Sequence, residues 1–216
     1  MIFGYIDYIN LIPFYTFLKY EIKGYSAKTA LNYYKNVPSK ITDDFIKKRV
    51  DSGVISSVVS KRYKCTDFGI IAKGKVYSVL ACKNGKGKDL ASKTSNSLAK
   101  VLNINGKVII GDKALQLYFK GENCQDLSEI WFKRYNLPFV FARLCTHKNL
   151  KFYQKLTKKF FKTNRKRVPY YIILNLSKKS GLTPKQIYFY LDRIEYKIDY
   201  KAKKGLKLFL RLNSQK

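Results

Sequence analysis

The chain has 216 residues, and its 44 Lys+Arg against 14 Asp+Glu leave a formal net charge of +30. With 46% hydrophobic residues it can bury a proper core, which excludes global disorder. Its 15% aromatics beside so many cations raise a nucleic-acid partner, because lysine and arginine neutralise phosphates and aromatic faces stack on bases; the opposing reading is lysines scattered over solvated faces.

In chain order, Ile2 to Ile6 reads as a short buried strand and Asp7 to Asn10 as the turn after it. Pro13 suits the first turn of a helix, where its missing N–H costs nothing. A strand is expected over Ala30 to Asn36, ended by Val37-Pro38-Ser39. Thr42, with Asp43 and Asp44 after it, Lys47 to Arg49 later and Gly53 at the end, predicts a helix over 42–52 that matches the macrodipole. Val54 to Val59, Phe68 to Ala72 and Val76 to Ala81 are short apolar runs that read as buried strands. The glycine-lysine stretch at 83–88 is where the chain is expected to pass between two lobes.

A Ser/Thr-rich turn at 92–97 then leads into a helix with Leu98, Val101 and Leu102 on one face, followed by a strand over Lys107 to Gly111. Asp112 opens another helix, and Asp126 with Glu129 makes a capping-box-like start to the helix that carries Ile130 and Trp131. After Pro138 and a strand over Phe139 to Ala142, helices are expected at 148–162, 166–179, 184–197 and 202–212. Thr183-Pro184-Lys185-Gln186 is a full capping box with proline at N1, and Ile187, Leu191, Ile194 and Ile198 follow at helical spacing. Alternating strands and helices imply an α/β sheet.

The four cysteines, Cys65, Cys82, Cys124 and Cys145, are far apart and form no C-x-x-C pair, so free thiols are expected and neither a zinc site nor a disulfide framework is signalled. The N-terminus has no basic region before Asp7 and does not read as a signal peptide, and no apolar run approaches the ~20 residues that span a bilayer. A cytoplasmic protein with no membrane partner is the expectation. His147, the single histidine, has no metal partners in sequence and reads as a surface or cap residue. Neither a phosphate-binding loop nor a dinucleotide fingerprint occurs. No metal and no cofactor are expected.

Four segments could carry chemistry. Asn10 ends the opening strand, where open α/β sheets bind ligands; it either caps the following helix or offers two donors and an acceptor to a ligand. Ser92, Thr94 and Ser95 stand just before a helix, whose free amides with hydroxyls and Lys93 can hold a carboxylate or phosphate, or serve as ordinary caps. Asp112 at the next strand-to-helix junction could be a general base, a ligand for a substrate hydroxyl, or an N-cap. Ser78, Ser56 and Ser57 lie in apolar runs, where each hydroxyl needs a backbone or ligand partner. The basic stretch Lys158 to Arg167 could meet nucleic acid or an anionic surface, yet Tyr153, Leu156 and Phe160 fit one buried helical face with the lysines outside.

Read together and in order, Tyr8-Ile9-Asn10-Leu11-Ile12-Pro13-Phe14, Val54-Ile55-Ser56-Ser57, Gly74-Lys75-Val76-Tyr77-Ser78-Val79, Ser92-Lys93-Thr94-Ser95, Ile110-Gly111-Asp112, Asp126-Leu127-Ser128-Glu129-Ile130-Trp131 and Leu137-Pro138-Phe139-Val140-Phe141-Ala142 resemble the chorismate dehydratase family. A sister family, dihydroxynaphthoate synthase, has a segment resembling Leu-Pro-Leu-Pro-Leu-Gly-Gly where this chain has Leu-Pro-Phe-Val-Phe-Ala, so the dehydratase is preferred.

The resemblance implies a two-lobed, periplasmic-binding-protein-like (type II) α/β fold with a central inter-lobe cleft. Residues 1–82 and 176–216 would form the first lobe and 83–175 the second, with Ser78 facing the cleft from the hinge strand. It further implies a cofactor-free hydro-lyase of the futalosine route to menaquinone, acting on the dianion chorismate. Asn10 and Ser78 would orient the substrate around the leaving hydroxyl, with Ser56, Ser57, Ser92, Thr94, Ser95 and Asp112 binding it. A non-catalytic binding protein for a small carboxylate is the alternative. Nucleic acid is not the expected partner, because no helix-turn-helix, zinc-finger or aromatic strand motif is present.

Overall fold

The computed structural model describes residues 1–22, 32–83, 92–163 and 168–215. In chain order the strands are β1 (Ile2–Tyr5), β2 (Asn32–Lys35), β3 (Ser52–Ser56), β4 (Cys65–Ala72), β5 (Val79–Cys82), β6 (Lys107–Ile110), β7 (Cys124–Asp126), β8 (Phe139–Thr146) and β9 (Ile194–Lys197). The helices are α1 (Ile12–Glu21), α2 (Pro38–Ile46), the single turn α3 (Ser57–Ser60), α4 (Lys93–Leu102), α5 (Asp112–Phe119), α6 (Leu127–Tyr135), α7 (Leu150–Lys162), α8 (Tyr170–Ser180), α9 (Pro184–Leu191) and α10 (Tyr200–Ser214).

Six strands form one sheet in the order β2-β1-β3-β8-β4-β9, and three form a second in the order β6-β5-β7. β1 pairs parallel with β2 and β3, which needs crossovers, and α2 supplies the second of them. All other pairings are antiparallel. The span 83–175 contains β6 and β7 of the smaller sheet, but also β8, which lies between β3 and β4 in the larger one.

The aromatic excess goes into the interior. Phe14 packs on Phe68 with ring centroids 4.3 Å apart, and Phe160 and Tyr196 stand 5.6 Å from Phe68 in the same cluster. Each such ring, fully buried, contributes about 1.5–3 kcal/mol by removal from water. α7 buries Tyr153, Leu156 and Phe160 and turns its lysines to solvent, as its periodicity predicts. α10 lies so close to the start of β8 that a Cβ at Gly205 would stand 2.2 Å from the Pro138 carbonyl oxygen.

Several elements differ from the sequence expectation, each for a local reason. α2 begins at Pro38, not Thr42, because proline at N1 starts the helix four residues earlier; the Thr42 hydroxyl bonds the Pro38 carbonyl at 2.8 Å. The helix ends at Ile46 and the chain turns at Lys48, whose φ is +56°. β3 stops at Ser56, where α3 begins. β5 starts at Val79 rather than Val76, since the amides of Val76 and Tyr77 are taken by Asp126 Oδ2 at 2.9 and 2.6 Å and cannot join a ladder. The helix expected over 184–197 ends at Leu191, and Ile194–Lys197 becomes β9 against β4, burying alternate residues. Ile194 and Ile198 satisfy both periods, so spacing alone misleads there.

The expectation of free cysteines is overturned. Strand register sets Cys65 opposite Cys145 and Cys82 opposite Cys124, and both pairs are disulfides. Separations of 80 and 42 residues hide that pairing from any local motif. His147 is packed rather than free on the surface: its ring stacks on Phe45 at 4.1 Å and its Nε2 lies 2.7 Å from the Phe45 carbonyl oxygen. The stretch 84–91, with most of the glycine-lysine turn, lies outside the described residues, as does the first part of the strand expected from Ala30.

Candidate active site

A cleft opens where strand ends of the larger sheet meet the smaller sheet and the start of α4. Its floor is apolar, with Ile6, Val54, Ile70, Val79 and Phe141, and its polar wall carries Asn10, Ser56, Ser78, Ser92, Thr94 and Ser95. Lys93 is the one charged side chain among the described lining residues, and it forms an ion pair with Asp43 of α2.

Asn10 sits in a short 3₁₀ turn, Ile9–Leu11, just beyond β1. Two contacts brace that turn: the Tyr196 hydroxyl donates to the Asn10 carbonyl at 2.8 Å, and the Ile9 amide reaches Asp112 Oδ1 at 3.5 Å. Asp112 itself is not on the cleft wall. It stands one residue inside α5, behind the turn, with Gly111 as the N-cap. Burial pushes its carboxyl up to about 6, with nearby Asp7 adding to the shift and the Ile9 amide and Lys179 opposing it. Gly111, at φ +67°, is required here, because a Cβ would meet the Tyr8 ring at 2.9 Å.

Ser78 is held from three sides. Its carbonyl accepts the Gly111 amide at 2.8 Å. The two residues before it are pinned by Asp126, whose other oxygen caps α6 through the amides of Ser128 and Glu129 at 2.9 and 3.0 Å. Its hydroxyl accepts from the buried Tyr190 hydroxyl at 2.9 Å.

Across the cleft, Ser92 is the N-cap of α4, accepting the Ser95 amide at 3.1 Å and donating to the Ser95 hydroxyl at 2.8 Å. Thr94 Oγ1 lies 2.5 Å from Ser56 Oγ and 3.5 Å from Ser57 Oγ, so hydroxyls from both sides of the cleft meet there. Ser57 is fully buried and reaches the cleft only through Thr94. This arrangement of neutral donors, a helix start and one lysine is chemically suited to a small carboxylate.

Sequence reasoning missed Tyr190 and Tyr196. Tyr190 falls on the buried face set by Ile187 and Leu191, and a phenol placed among apolar positions needs a partner for its hydroxyl, which is the signal that could have found it.

Two sheets facing each other over such a cleft place the chain in the periplasmic-binding-protein-like fold class. A protein from Archaeoglobus fulgidus superposes with a TM-score of 0.69 at 11% identity, over 99% of this chain and 96% of that one. A Candida albicans protein described as having the generic periplasmic binding protein fold gives 0.54 at 11% identity, with 100% and 90% covered. The periplasmic aliphatic sulphonate binding protein SsuA of Escherichia coli gives 0.58 at 14%, with 100% and 91% covered. These identities establish fold alone. The family comes from sequence: residues 92–215 match the family described as menaquinone biosynthesis. The chain is also 47% identical to chorismate dehydratase of Campylobacter jejuni, over 98% of its own length and 96% of that protein's. The chain belongs to this menaquinone biosynthesis family and is a homologue of chorismate dehydratase.

Proposed function

We propose that the protein removes water from chorismate to give 3-(1-carboxyvinyloxy)benzoate, a hydro-lyase step that opens the futalosine route to menaquinone. The observation that carries this reading is the 47% identity, spread over 98% of the chain, to a protein named chorismate dehydratase. In the proposed reaction the C3–H and C4–O bonds break, and the proton and hydroxyl leave together as water. The new C3–C4 double bond completes the aromatic ring, and the enolpyruvyl ether is kept.

Asn10 and Ser78 are assigned to orienting the substrate around the leaving hydroxyl. Ser56, Ser92, Thr94 and Ser95 are assigned to a carboxylate at the start of α4, with Ser57 acting through Thr94. Neither an asparagine nor a serine is a strong base without an activating partner. Asp112 lies behind the Asn10 turn. We therefore assign the C3 proton to the substrate's own enolpyruvyl carboxylate, which hands it to the departing C4 hydroxyl so that water leaves and the carboxylate is restored, with the protein holding the reactive geometry.

For the two lobes, sheet membership is the guide. β5, β6 and β7 with α4 to α6 make the second lobe, whose end we place near 138, before β8 joins the larger sheet, instead of at 175. The reaction is placed in the cytoplasm. Among the described residues no helix is long and apolar enough to cross a membrane. Disulfides meet a reducing pool in the cytoplasm, and neither cysteine pair lines the cleft, so no cysteine takes part in the proposed chemistry. The test is incubation of the purified protein with chorismate. Appearance of the aromatic ether supports the reading, while chorismate bound and recovered unchanged would make the protein a binder.

A further inference from the structure

We propose that Tyr190 is a positioning residue of the cleft, whose phenol hydroxyl fixes the rotamer of Ser78. The inference rests on the assignment of Ser78 in the proposed function. Ser78 stands before β5, and Tyr190 comes from α9, 112 residues further along the chain. The Tyr190 ring is 1% exposed. Its hydroxyl donates to Ser78 Oγ at 2.9 Å.

The direction of this bond matters. A serine hydroxyl has a single hydrogen. With the phenol donating to its oxygen, the hydrogen of Ser78 points elsewhere, and Ser78 lines the cleft. Burial raises the phenol well above its ordinary range, and Asp112 and Tyr8 add to the shift, so it remains a donor at any working pH. α9 keeps the ring in place. Its start is locked by the reciprocal Thr183–Gln186 bonds at 3.3 and 2.8 Å, and Ile187 and Leu191 are buried on either side of Tyr190.

The test is steady-state turnover of chorismate by the full chain carrying Tyr190→Phe, alone and combined with Ser78→Ala. Loss of one aligning hydrogen bond predicts kcat lower by about tenfold with KM within about twofold. On the Ser78→Ala background, where the acceptor is gone, the same change should cost less than about twofold. Full kcat in Tyr190→Phe, or an equal loss on both backgrounds, would overturn the proposal. Should Tyr190→Phe fail to fold, 4-fluorophenylalanine placed at position 190, close to tyrosine in shape but without a donor, decides by the same criterion: a kcat lower by about tenfold supports the proposal and full kcat contradicts it. A wild-type protein inert to chorismate counts against the proposed function, whereas an unaffected Tyr190→Phe in an enzyme that Ser78→Ala disables counts against Tyr190 alone.

Discussion

The cleft and the outer face of α7 differ most sharply in charge. The cleft offers hydroxyls, an amide and Lys93, which is already paired with Asp43. α7 turns Lys151, Lys155, Lys158, Lys159 and Lys162 to solvent, and of these Lys159 pairs with Glu21 at 2.6 Å. The lysine face is the solvated side of a helix whose other side is core, and it needs no ligand to explain it. The contrast teaches that a net charge of +30 describes the surface of this protein, while its candidate chemistry lies in uncharged side chains at strand ends. The charge can still draw a dianionic substrate inward at long range.

The sharpest way to break that contrast is to remove a neutral group. Asn10→Ala is expected to lower kcat by about 100-fold, the size of effect seen when a preorganised polar contact to the reacting centre is lost. An intermediate effect is expected from Asp112→Asn, which should keep turnover within about threefold, because the carboxyl supports the turn and the proposed proton acceptor is the substrate's own carboxylate. Its signature lies in stability. The folded carboxyl titrates at about 6 against 3.8 for the ordinary group, so the native state binds more protons in that window. Wild-type stability therefore falls as pH rises from about 4 to 6, and thermal midpoints of the asparagine variant should lack that fall. The smallest effect is expected from changing Lys151, Lys155, Lys158 and Lys162 together to Gln. At ordinary ionic strength kcat should not move, and kcat/KM should drop by less than about twofold while losing part of its salt dependence. A large loss of kcat in the lysine variant would reverse the comparison.

What was legible in the sequence was mostly local. The capping box at Thr183 to Gln186 and the Asp126 cap are read from adjacent residues and stand in the structure as bonded caps. Asn10, Ser56, Ser78, Ser92, Thr94 and Ser95 are each ambiguous when taken singly, and they converge on one cleft. What escaped depends on partners far along the chain. Val76 and Tyr77 leave their strand because of Asp126, β9 exists because β4 offers it an edge, and the cysteines pair through register. Tyr190 escaped for the same reason: its partner Ser78 is not its neighbour in sequence.

The chemistry proposed for the cleft is a dehydration directed by neutral side chains. It is tested most directly by the rate of aromatic ether formation at saturating chorismate in the wild type and in Ser78→Ala, with chorismate affinity measured alongside. The wild-type rate is expected to be higher by about 100-fold or more, with affinity changed by less than about tenfold. Equal rates in the two proteins would contradict it.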